Sequence, residues 1–98
     1  MDTLVYRGSA TLLAEGREVD VHADLTGFLP EFGLTSWSGT LESRDGAAAV
    51  GAVGGSRRGR LRLPGGWESA FAVTRIVLGS SVIWVRGSEP DVSPAEWV

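Results

Sequence analysis

The only histidine, His22, lies in Asp20-Val21-His22-Ala23-Asp24, where a strand period of two sends three potential ligands to one face. Residues two apart on a strand stand ~7 Å from each other and share an ion poorly, so a metal would need a further donor from a neighbouring strand. The trio therefore reads as a solvated outer face, and no metal is expected. Serines and aspartates accompany the histidine, but none sits in a nucleophile elbow, and Gly79-Ser80-Ser81 reads as a turn. Of the twelve acids, only Glu31 stands in an apolar segment, and it has no marked carboxylate partner. Neither catalytic residues nor a cofactor is expected, and the chain reads as a non-enzyme.

Two further patterns point to binding. The glycines of "GAVGGSRRG", residues 51 to 59, lack the Lys-Ser/Thr of a phosphate loop, which leaves a hairpin tip as their expected role. Arg57, Arg58, Arg60 and Arg62 form a cationic cluster that on a strand and its turn makes one positive stripe, suited to a phosphate backbone or an acidic protein surface. The same stripe would also discourage edge-to-edge aggregation. Four tryptophans are many for this length. Trp37 and Trp84 fall in strand patterns and are expected in the core, while Trp67 at a turn and Trp97 near the C-terminus are expected as exposed interface anchors.

At 98 residues with 43% hydrophobic content, the chain has the composition of one globular domain with a single core, despite its fourteen glycines. A net charge of −3 argues against a general nucleic-acid binder, whose affinity comes mostly from phosphate neutralisation. No stretch approaches the ~18–20 apolar residues of a spanning helix, and the opening Met1-Asp2-Thr3 has no signal-peptide character. The expectation is no membrane, with a cytoplasmic location, or a virion if the source is a phage. Without cysteine, the chain has no disulfide or thiolate chemistry.

The elements that must position these residues are strands. Apolar residues alternate from Ala10 to Ala14 and from Val19 to Leu25, with Glu15-Gly16-Arg17 between, which predicts a hairpin with Val19, Val21, Ala23 and Leu25 inward. "TGFLPEFG", residues 26 to 33, breaks the alternation at Pro30 yet carries Phe28, Leu29 and Phe32. It reads as a lid loop over one end of the domain. In "LTSWSGTLES" the period of two puts Trp37, Gly39 and Leu41 inside and a hydroxyl row outside, with Gly39 giving the sheet room to bend. The Ala/Gly run 47 to 53 reads as a weakly specified strand. Beyond it, Leu61 and Leu63 point inward from "RLRLP", and residues 69 to 78 and 81 to 86 form a second hairpin. Its second strand is apolar on both faces and so belongs in a central place. Turn signals every ~8–12 residues and no amphipathic helix predict an all-β antiparallel barrel or two-sheet sandwich of six to seven strands over residues 1 to 90. Residues 91 to 98 form a short tail that docks as an arm.

Tyr6-Arg7-Gly8, Trp37-Ser38-Gly39 and Leu63-Pro64-Gly65-Gly66 occupy the places of a Tyr-x-Gly start, a Trp-x-Gly strand and a Leu-Pro-x-Gly turn. In these motifs, over residues 4 to 90, the chain resembles small β-rich domains of unknown function from actinobacteria and their phages, one family of which is fused to flavin-dependent monooxygenases. The resemblance implies fold rather than activity and supplies no catalytic residues. The leading expectation is a non-enzymatic protein interaction or assembly module, self-associating or binding a protein through Phe28, Leu29, Phe32, the Arg57 to Arg62 stripe, Trp67 and Trp97. One alternative is a site for a small apolar or flavin-like ligand under the 26 to 33 loop with Trp37 below it. A second is nucleic-acid binding by the arginine stripe.

Overall fold

The computed structural model describes residues 2–29, 34–46, 48–77, 79–87 and 91–92. Among them are strands β1 (Asp2–Ala14), β2 (Arg17–Leu29), β3 (Leu34–Ser43), β4 (Arg58–Arg62), β5 (Glu68–Ile76), β6 (Val82–Gly87) and β7 (Asp91–Val92), and one helix, α1 (Ala48–Val53). All pairings are antiparallel, in the order β2-β1-β4-β5-β6-β3, and β3 pairs back onto β2. Six strands thus close into a barrel, so the all-β expectation holds and the barrel is chosen over the sandwich. The short β7 lies beside Leu34 and Thr35 of β3.

Alternation sets which side chains fill this barrel. Along β1 and β2, Ala10, Leu12 and Ala14 face Val21, Ala23 and Leu25, all buried, while Asp20, His22 and Asp24 face solvent. From the other side come Leu61, Leu63, Phe71, Ile83 and Val85, each at most 1% exposed. Burying a Leu, Ile or Phe side chain this completely contributes ~1.5–3 kcal/mol. As expected, β6 is central, between β3 and β5.

Trp37 is inside, as the pattern requires, at 3% exposure. Its Nε1 donates to Ser69 Oγ at 3.3 Å, giving the indole a partner within the core. Gly87 makes room for the indole, and Gly39 makes room for the backbone of β2. A Cβ on Gly87 would lie 2.4 Å from Trp37 Nε1, and one on Gly39 would lie 2.0 Å from the Asp24 carbonyl oxygen. The expected role of Gly39 is therefore sharper than a bend: it is where β3 crosses closest to the β2 backbone as the barrel shuts.

The run 47 to 53 is not a strand. Residues 48–53 form α1, which buries Ala49, Ala52 and Val53 against β1, β2, β3 and β6. Three alanines give this segment the best helix formers and too little β-branched surface for a sheet position, and their i, i+3, i+4 spacing makes one apolar face. The expectation that no amphipathic helix exists fails with it. Gly54, at φ 51°, ends the helix and donates to Val50 O at 3.1 Å. The segment 54 to 57 is the turn that follows, so it is a helix exit rather than a hairpin tip.

The first half of the loop expected over residues 26 to 33 is strand: Thr26–Leu29 continue β2, all four pair with β1 and Thr26, Gly27 and Phe28 pair with β3 as well, while residues 30 to 33 lie outside the described residues. A glycine and large apolar residues broke the two-residue alternation in sequence, but a strand with neighbours on both edges tolerates that break.

These contacts lead to opposite outcomes for two glycine substitutions. Gly39→Ala should lower the unfolding free energy in urea by about 3 kcal/mol or more, because backbone would have to move. Gly51→Ala, on the exposed side of α1 with nothing within 4 Å of the new Cβ, should raise it by about 0.5–1 kcal/mol.

Candidate functional site

The hairpin turn of β1 and β2 decides which backbone groups the barrel leaves open. Glu15 and Gly16 both have positive φ, 51° and 72°, as a two-residue type I′ turn demands. The flanking pair Ala14 and Arg17 then exchanges both hydrogen bonds, and the alternation of antiparallel pairing carries along the whole ladder. Leu12, Ala10, Gly8, Tyr6 and Leu4 turn their N–H and C=O toward β2, whereas Leu13, Thr11, Ser9, Arg7, Val5 and Thr3 turn theirs away. On that far edge β4 takes up only Thr11 to Leu13. From 3 to 9, no strand among the described residues pairs with the outward edge of β1. Tyr6 covers one end of it, its hydroxyl donating to the Ser9 carbonyl at 2.6 Å.

The arginine stripe is built but largely neutralised. Arg57 sits in the turn with φ 54°, and Arg58, Arg60 and Arg62 point outward from β4. Arg60 Nε meets Glu68 Oε1 at 2.7 Å and Arg62 Nη2 meets Glu18 Oε1 at 3.1 Å. Both pairs are solvent-exposed and so stabilise by less than ~1 kcal/mol each. Their effect is to cancel charge that would otherwise face a polyanion. Arg7 and Asp24 form a third pair at 3.2 Å.

Two tryptophans change places relative to expectation. Trp67 is not an exposed anchor. It packs on the core, edge-on to Trp37 with ring centroids 5.8 Å apart, because the turn at 63 to 67 folds back and Leu63 N–H donates to the Trp67 carbonyl at 2.8 Å. Trp84 is not core. Its inward neighbours Ile83 and Val85 are buried, and by alternation Trp84 stands half-buried on the outer face. Arg75 Cζ lies 5.0 Å from the centre of its ring, an attractive cation–π distance.

The remaining expected sites resolve unevenly. Trp37 is enclosed and cannot floor an open pocket. Phe28 and Leu29 belong to β2 by their backbone, with side chains outside the described residues, as are Phe32 and Trp97 altogether. Among the described residues, no group of three His, Cys, Asp or Glu could hold a metal ion, and no helix is long and apolar enough to cross a membrane. The open β1 edge has no counterpart in the sequence pattern: residues 2 to 9 of β1 precede the alternation that begins at Ala10, and how far a strand outruns its neighbour is set by register. Compared with family models, curated proteins and solved structures, the chain matches none.

The edge assignment makes a pattern visible to amide hydrogen exchange in the monomer. Leu4, Tyr6 and Gly8 N–H should exchange slowly, and Val5, Arg7 and Ser9 about tenfold or more faster. Equal protection along the strand would show that the outward edge is covered.

Proposed function

We propose that this protein is a non-enzymatic interaction and assembly module that adds a strand, from a second copy or from a protein partner, to the open edge of β1. The observation that carries the reading is the row of outward backbone groups at Thr3, Val5 and Arg7 in a barrel that is otherwise closed. An exposed edge with unused N–H and C=O groups is a template for strand addition, in which main-chain hydrogen bonds give affinity. In a two-fold pair, β1 would meet its own copy antiparallel, an isologous contact.

The C-terminal tail enters this reading differently from the sequence expectation. Asp91 and Val92 already pair with β3 of their own chain, so the start of the tail is occupied at home. The edge, rather than the tail, is assigned the partner.

Light scattering after gel filtration tests this with three chains. The full chain should exceed its monomer mass of 10.3 kDa at about 100 μM. The Val5→Pro variant, whose lost N–H faces away from β2, should keep the hairpin but return to the monomer mass. A chain ending at residue 90 should keep the full-length assembly. A monomeric full chain, or an assembly that survives Val5→Pro and dissolves on truncation, overturns the edge assignment.

A further inference from the structure

A second surface lies on the opposite wall of the barrel. Around the closed ring, β6 is reached from β1 through β2 and β3 one way and through β4 and β5 the other. On its outer face Trp84 pairs with Thr40 on β3 and with Arg75 on β5, and Arg86 pairs with Ser38 and with Ala72. Ala72 in turn pairs with Arg58 of β4. The result is a half-buried indole with Arg75 over its ring, Arg86 one row along the same strand and Arg58 two strands away in the Arg86 row, with Ser38 and Thr40 on the neighbouring strand.

A β-bulge builds this arrangement. The register of β5 on β6 shifts between Val73 and Arg75, so Thr74 is the extra residue. Val73 points into the core before it, and Ile76 packs on the core after it. Without the bulge, the period of two would turn Arg75 inward behind Val73. The extra residue re-aims it outward onto the Trp84 ring, a use of bulges that recurs at binding sites.

Three of the arginines without an ion pair among the described residues gather on this face, while Arg17, Arg44 and Arg57, also outside any such pair, lie in or beside turns elsewhere. Arg7, Arg60 and Arg62 are each matched by a carboxylate, whereas Arg58, Arg75 and Arg86 have none within ion-pair distance among the described residues. Among the described residues, the acids bordering this face are Glu42, one row beyond Trp84 beside Val82, where it accepts from Ser81 Oγ at 3.3 Å, and Asp24, beside Thr40 and paired with Arg7. The three arginines thus stand without a carboxylate partner among the described residues.

We infer that the Trp84 face binds single-stranded nucleic acid, one base stacking on the indole while Arg58, Arg75 and Arg86 take neighbouring phosphates. An aromatic ring among unpaired guanidiniums on a sheet is the combination that holds single strands without sequence readout, since every base has a π face and every residue a phosphate. Arg75 moves from the ring to a phosphate as the base arrives. The site is independent of the β1 edge and remains accessible in an assembly built through that edge.

Fluorescence anisotropy of a labelled oligodeoxythymidylate of about 20 nucleotides, titrated with the full chain at low salt, tests the inference. Binding should be saturable and fall with salt at a log–log slope of about −2, the value for three phosphate contacts on a single strand. Trp84→Leu and the double variant Arg75→Ala/Arg86→Ala should each weaken it by about tenfold or more, with unfolding midpoints in urea checked alongside. Arg44→Ala, past the end of β3, should leave affinity unchanged, and so should Val5→Pro, which separates this site from the edge. No binding at low salt overturns the inference. Equal affinity for polyglutamate that is indifferent to Trp84→Leu also overturns it, in favour of an acidic protein partner.

Discussion

Closure of β3 onto β2 is the constraint on which the rest of this structure depends. Joining a sheet to itself forces adjacent backbones close together where the wall curves most, and here that point is Gly39 against Asp24 and Leu25. Once β3 is locked there, Trp37 swings into the core over Gly87 and against Trp67. Gly39 thus serves the closure and Gly87 the indole that closure brings inside. The remaining aliphatic residues then have a fixed space to fill, and α1 packs against four of the barrel strands with small residues because little volume is left.

Closure also frames the open edge and the Trp84 face. A closed barrel has no edges except where strand lengths disagree, and β1 runs far past the short β4. The open edge is therefore a consequence of unequal partners, not of a weak strand. On the far wall, the bulge at Thr74 changes which side chains reach solvent without disturbing the core on either side. One departure from regularity in length and one in register give the fold an open backbone edge and a cationic aromatic face. Elsewhere on the exterior, three cross-strand ion pairs join Arg7 to Asp24, Arg60 to Glu68 and Arg62 to Glu18.

Much of this was legible in the residues themselves. The two-residue period assigned Val21, Ala23, Leu25, Trp37, Leu41, Leu61 and Leu63 to the inside, and all are buried. It failed where side chains carry little pattern or where the pattern slips. The alanine run 48 to 53 has no alternation to read, so helix and strand were separated only by which could fit against the barrel. Trp67 was read by its place at a turn, yet the turn folds over the core. Trp84 was read by its hydrophobicity, yet its strand is apolar on both faces and only the neighbours decide which face is in.

By itself the sequence determined the class, the hairpins and the inward faces, because these follow from local period, turn chemistry and composition. Tertiary structure alone decided three things: that the sheet closes, that Arg60 and Arg62 pair with Glu68 and Glu18, and that Arg58, Arg75 and Arg86 share the outer face of Trp84. Each depends on register between segments far apart in the chain. Register is set by packing one face of every strand into a shared core, which no single stretch of sequence contains.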